Sequence, residues 1–207
     1  MRRFALVVVA VMACWMMAGC AVGQKIPLTY TPEQVEAAQG VDTLPLSVTV
    51  TDDRPYVVSG DKNATFIGKY RAGFGNTWDV STEGKTPLAQ ILYRDLTADL
   101  RKFGLTLVPN STAERRLTVS IQDYNFDCYI NCRVWHHLKV EIKDTSGSIL
   151  HARNILDEQD VSGSAMWGPK GAMEAELPKI YNKMIRNIVR GDAEAMAALK
   201  RPDDAKK

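Results

Sequence analysis

Apolar and polar residues alternate from Leu46 to Thr51, with Leu46, Val48 and Val50 on one side of an extended chain and Ser47, Thr49 and Thr51 on the other. That period of two predicts a strand with one buried face. A glycine-bearing stretch, FIGKYRAGFGNTW at 66–78, fits one short strand or a hairpin. The period then changes. Leu88, Ile91, Leu92, Leu96, Leu100 and Phe103 recur at helical spacing. Thr86 precedes them as a candidate N-cap with Pro87 at the first helical position, and Gly104 stands where a left-handed C-terminal residue is wanted. Two longer alternating runs follow: 117–126, with Leu117, Val119 and Ile121 on one face, and 134–143, with Val134, His136, Leu138, Val140 and Ile142. Asp144 to Ser148 is turn chemistry, and 149–163 supplies another strand. A second long helix is predicted through Leu177, Ile180, Tyr181, Met184, Ile185, Ile188 and Val189, closing near Gly191, and Asp192 caps a short third helix. This order predicts an α+β domain, an antiparallel sheet with two main helices packed on one face.

Residues 1–19 have a different pattern. Arg2 and Arg3 precede an uncharged run of 14 residues from Phe4 to Met17, and the small pair Ala18-Gly19 leads into Cys20. These are the three parts of a secretory signal. A membrane span needs about 20 apolar residues, so the run is too short for one. Met17-Ala18-Gly19-Cys20 resembles the lipobox of bacterial lipoproteins, with Met17 where Leu is commonest. The plainer alternative is an ordinary cleaved signal that happens to hold a cysteine. Arg2-Arg3 lacks the flanking residues of twin-arginine export. The lipobox resemblance implies that Cys20 becomes the acylated first residue, carrying a diacylglyceryl group and usually a third chain. Two or more chains give stable attachment where one is marginal. Ala21 rather than Asp follows, which implies the outer membrane, facing the periplasm. The chain then divides into a signal peptide (1–19), a polar tether (20–43), a single folded domain (44–200) and a disordered tail (201–207). The tether holds Pro27, Pro32 and a short helical pattern at 32–39. Its root-mean-square span of ~25–30 Å keeps the domain near the membrane.

Export changes the charge balance and the meaning of the cysteines. The whole chain has 26 Lys and Arg against 24 Asp and Glu, and losing Arg2 and Arg3 leaves 24 of each. A neutral domain offers no electrostatic ground for nucleic acid. Of the four cysteines, Cys14 leaves with the signal and Cys20 is acylated, so Cys128 and Cys132 meet an oxidising compartment as a pair. They flank a three-residue turn between two strands. Antiparallel pairing there brings Cα atoms to about 4.5–5.5 Å, within disulfide range. A structural disulfide is expected, worth ~2 kcal/mol for so short a loop. The alternative is metal: Cys128, Cys132 and His136 are spaced C-x3-C-x3-H, which zinc admits, but a fourth ligand is not evident and His136 and His137 point to opposite faces of a strand. A redox pair would more often be C-x-x-C at a helix start. No metal and no cofactor is expected.

The remaining motifs weigh less. Asp52 and Arg54 share one side of a strand end and fit an ion pair or a ligand contact. Gly84-Lys85-Thr86 imitates the end of a phosphate-binding loop, but Asp79 stands where its first glycine is required. Asn63 and Asn110 begin glycosylation sequons, which a bacterial lipobox makes irrelevant. Gly73-Phe74-Gly75 with Trp78 fits a binding loop or a hairpin turn, and Trp135 and Trp167 fit core or surface. His136, His137 and His151 all fall in strands, and no G-x-S-x-G is present. No enzymatic activity is expected.

The lipobox, a strand ending Val50-Thr51-Asp52-Asp53-Arg54-Pro55, the Phe66-Ile67-Gly68 segment, a helix ending Lys102-Phe103-Gly104-Leu105 and the paired strands together resemble the YajG-type lipoproteins over about residues 44–190. The resemblance implies an envelope lipoprotein without established enzymatic activity, and the Cys128–Cys132 pair departs from it. The expectation is a Cys20-anchored accessory or binding protein. Its partners would be the membrane, through the lipid anchor, and an unidentified envelope protein or component. The alternatives are a periplasm-facing enzyme acting on cell wall or lipid, and a small-ligand or lipid carrier with an apolar cavity between sheet and helices.

Overall fold

The computed structural model describes residues 24–31, 43–71, 76–129, 131–162 and 168–201. Cys20, the 32–39 segment, Gly73-Phe74-Gly75, Trp167 and the tail beyond Arg201 lie outside these residues. The described strands are β1 (Gln24–Ile26), β2 (Leu46–Asp52), β3 (Phe66–Arg71), β4 (Thr77–Thr82), β5 (Arg115–Cys128), β6 (Cys132–Lys143) and β7 (Ile149–Val161). The helices are α1 (Pro55–Val58), α2 (Leu88–Lys102), α3 (Gly168–Ile188) and α4 (Ala193–Ala198). No described helix is long and apolar enough to cross a membrane.

The expected α+β class holds, but the sheet is mixed rather than antiparallel. Its order is β1-β4-β3-β5-β6-β7, with β2 also paired to β5. β5-β6, β6-β7 and β3-β4 are antiparallel, whereas β1-β4, β2-β5 and β3-β5 are parallel. Alternation reveals which face of a strand is buried, not which way its neighbour runs. A parallel partner requires a crossover, and the chain from β2 to β5 contains one through α2.

β5 is the spine of the sheet. Its first half pairs with β2 from Arg115 to Ile121, its last residues pair with β3 at Asp127 and Cys128, and its other edge carries β6 along almost its whole length. The β5-β6 register shifts between Ile121 and Asp123. This bulge re-phases the strand: Leu117, Val119 and Ile121 face the core before it, and Tyr124, Phe126 and Cys128 after it. Strict alternation from Leu117 would have buried Asp123 instead.

The two main helices lie over the inner face. α2 buries Leu88, Ile91, Leu92, Leu96 and Leu100, and α3 buries Met173, Leu177, Ile180, Tyr181, Met184 and Ile185. α2 begins one residue later than its sequence suggests. Pro87 occupies the N-cap without a side-chain bond, and Thr86 instead accepts the Thr82 hydroxyl on its carbonyl at 2.6 Å. The far end closes as anticipated: Gly104 has φ 99°, and Leu105 N–H bonds Leu100 C=O while Gly104 N–H bonds Arg101 C=O, the Schellman pattern. Asp192 accepts from the backbone of Glu194 and Ala195 and caps α4.

The domain does not begin at Leu44. Gln24–Ile26, inside the expected tether, adds an edge strand parallel to β4, and Ile26 and Leu28 enter the core. Tyr30 donates its hydroxyl to Asp99 on α2. Polar composition concealed this because only alternate residues of a short edge strand need be apolar.

Gly68 lies where β3 crosses the Phe126 side chain, and a Cβ there would overlap the ring. Gly68→Ala is expected to cost about 1–3 kcal/mol by overpacking, read as a lower urea midpoint. Adding Phe126→Leu should recover part of that loss. An unchanged midpoint for the single variant would refute this contact.

Candidate functional site

Asp52 and Arg54 do form a pair, and it faces inward. Arg54 is fully buried. Its guanidinium grips Asp52 bidentately at 2.7 Å and 2.7 Å, and donates to the carbonyls of Phe66 (2.6 Å), Ala64 (3.2 Å) and Tyr124 (3.4 Å). All five of its N–H groups are used. Burial alone would lower its proton affinity, but the hydrogen bonds and charge of Asp52 overcome this and hold it above the ordinary arginine value. The adjoining Pro55 starts α1 at its first turn. Tyr56 on α1 shares its single hydroxyl proton between Asp123 at 2.8 Å and Tyr124 C=O at 3.0 Å, and burial, with Asp123 adding to it, pushes its hydroxyl pKa up. With every donor committed to the fold, this pair is a structural tie and leaves nothing for a ligand.

Asp123, turned outward by the bulge, also accepts Trp135 Nε1–H at 2.8 Å, so Trp135 is fixed on the sheet face away from the helices. Beside it Asp53 accepts from Thr51 at 3.0 Å and from Ser120, which in turn accepts from Gln122. His136 and His137 point to opposite faces. His136 is buried, which lowers its pKa despite the opposing charge of Asp157, while His137 meets Asn154 at 3.3 Å on the outer face. His151 lies 3.1 Å from Asp192 at the start of α4. Trp78 is half-buried on β4. Gly84 and Lys85 belong to a 3-10 turn spanning Glu83–Lys85.

Cys128 and Cys132 are joined as a disulfide, with Cα atoms 4.1 Å apart. Neither sulfur is then available as a thiolate ligand, which removes the C-x3-C-x3-H reading. Among the described residues no group of three or more His, Cys, Asp or Glu is placed to hold a metal. Asp127 next to this hairpin accepts from Arg71 at 2.7 and 2.5 Å and pairs with Lys69 at 3.2 Å; Arg71 above all holds its carboxyl below the usual carboxylate range.

Two buried carboxylates escaped sequence reasoning. Asp95 and Asp99, one helical turn apart, lie on the buried stripe of α2. Asp95 takes Arg94 at 2.7 Å and the Tyr181 hydroxyl at 3.1 Å, and Asp99 takes Arg190 bidentately at 2.8 and 2.8 Å as well as Tyr30. Their spacing, falling beside Leu92, Leu96 and Leu100, is the signal that could have found them. A surface cleft of about 480 Å³ opens next to Asp95, lined by Leu28, Tyr30, Glu83, Ile91 and Arg94 among others.

The fold has counterparts among solved structures. The crystal structure of protein XCC0632 from Xanthomonas campestris, under the DUF330 family model, matches with a TM-score of 0.54 and 11% identity, covering 79% of this chain and 93% of that one. An uncharacterized protein matches with a TM-score of 0.50 and 14% identity, covering 82% and 98%. A minor lipoprotein from Acinetobacter baumannii gives a TM-score of 0.37 at 10% identity over 70% and 92%, too low to argue from. At these identities the likeness is one of fold alone. No family model and no curated protein matches the sequence, so the YajG-type resemblance gains no independent support.

Among the described residues, one surface open to contact is the outer sheet face with its β7 edge. β7 ends the strand order and no other described strand pairs with it beyond β6. It runs for 13 residues, and Leu156 on it is 70% exposed, with Ile149 and Leu150 also exposed. An open edge with apolar side chains is a template for an added strand.

Asp52→Ala would leave Arg54 buried without its counter-charge. We expect a loss of about 3–5 kcal/mol in urea unfolding. A cost below about 1 kcal/mol, the range of an exposed pair, would show that the tie is dispensable.

Proposed function

We propose that this chain is a non-enzymatic envelope lipoprotein, anchored through acylated Cys20 in the outer membrane and facing the periplasm, where it binds an envelope protein or component as an accessory. Cysteine accounting carries the reading. Cys128 and Cys132 close on each other, so once the signal is removed Cys20 is the one thiol left to acylate. A disulfide on a buried hairpin neck suits an exported domain. The binding role draws support from the β7 edge and its exposed Leu156. A role without chemistry draws support from the carboxylates: Asp52, Asp95, Asp99 and Asp123 are each held by structural partners. The continuous cluster of buried residues between sheet and helices favours a contact surface over a carrier's cavity.

Cys20→Ala should abolish palmitate labelling and release the protein from the membrane fraction. Continued labelling would sink the anchor. A photo-reactive residue at Leu156 should give a discrete adduct in intact cells that the same residue at exposed Thr145 does not. Identical adduct patterns at both positions would remove β7 as the contact surface.

A further inference from the structure

The direction of β1 fixes which end of the sheet meets the membrane. β1 runs parallel to β4, with Gln24 beside Val80 and Ile26 beside Thr82. β4 starts at Thr77, opposite Arg71, at the end of the sheet where the Cys128–Cys132 hairpin and the last residue of β7, Val161, also lie. The chain therefore enters β1 from the hairpin end.

The reach is short. Only three residues, Ala21 to Gly23, separate Gln24 from Cys20, and the four Cα steps between them span at most about 14 Å. Val80 is beside Gly68 on its other flank, and Gly68 packs on Phe126, two residues from Cys128. The hairpin tip is thus about 7 Å from the level of Gln24. Going the other way, β5 runs ten more residues from Phe126 to Arg116, about 30 Å, before the Asp144–Ser148 turn end is reached. A lipid on Cys20 can touch the first end and cannot touch the second.

The near end is built to stay in one place. The disulfide ties its hairpin, Tyr129 beyond Cys128 is 54% exposed, and Arg71 and Lys69 are held by Asp127. An exposed aromatic beside basic side chains suits the headgroup zone of a bilayer. β1, the buried Leu28 and the Tyr30–Asp99 bond join the anchored segment to the sheet without slack. We propose that the domain stands end-on to the phospholipid surface, with the Cys128–Cys132 hairpin end against the headgroups and the 144–148 turn end directed away. This rests on acylation of Cys20.

The test uses the full acylated chain in phosphatidylcholine vesicles. Asn76→Cys, at the hairpin end, and Thr145→Cys, at the far turn, each supply a single reactive thiol for a fluorophore, because Cys20 is acylated and the other pair is oxidised. Lipid carrying a nitroxide on its headgroup serves as quencher. The interfacial zone is only several ångströms deep on each side of the bilayer, so a probe about 30 Å out is beyond its reach. Quenching severalfold stronger at residue 76 than at residue 145 is expected. Equal quenching, or stronger quenching at 145, in protein that floats with the vesicles would overturn the orientation while leaving the anchor intact. Failure of both labelled proteins to float and to carry palmitate would overturn the anchor, and the orientation with it.

Discussion

β5 is shared on one edge by two different strands, and the gap between them must be closed. β2 leaves the spine at Ile121 and β3 joins it only at Asp127, so the backbone of residues 122–126 has no ladder partner on that side. Unpaired carbonyls in a buried place cost free energy comparable to lost hydrogen bonds. Arg54 fills the space. Its guanidinium reaches Tyr124 C=O on β5 and Phe66 C=O at the start of β3, while Asp52, the last residue of β2, supplies the counter-charge. Tyr56 adds a second donor to Tyr124 C=O. A lysine would not serve, because a single ammonium cannot hold a carboxylate bidentately and also span three carbonyls in one plane.

This arrangement explains which parts of the architecture could be read in advance. Side-chain periodicity reports burial, so the buried face of β5 up to Ile121, that of β6, the α2 and α3 stripes and the glycine and aspartate caps were legible. Periodicity is silent on strand direction and on bulges. The parallel β2-β5 and β3-β5 pairings were therefore missed, and with them the reason for Arg54. The residues Asp52 and Arg54 could be singled out by type and spacing, but whether they face a ligand or the core depends on where β3 starts, which is a tertiary fact.

Buried charge marks the second thing that composition hides. Asp99 gathers Arg190 from just beyond α3 and Tyr30 from the N-terminal segment, so three stretches far apart in sequence converge on one carboxylate. By average polarity residues 27–31 resemble a linker. What orders the segment is a small number of specific contacts: Ile26 and Leu28 in the core and one tyrosine hydroxyl on Asp99. Such contacts cannot be counted from composition, since their partners lie far along the chain, Asp99 being 69 residues beyond Tyr30.

The same contacts change what an anchor at Cys20 can do. A free tether of about 24 residues would let the domain tumble within ~25–30 Å of the membrane, presenting every face in turn. With the chain captured at Gln24, only three residues would remain between a lipid on Cys20 and an edge strand. An anchor there would have its orientation set by strand direction, and β7, at the opposite edge of the sheet, would be held with its long axis directed away from the membrane. A fixed edge loses less rotational freedom on meeting a partner than a tumbling one, so an accessory protein that works by contact gains from the loss of its own tether.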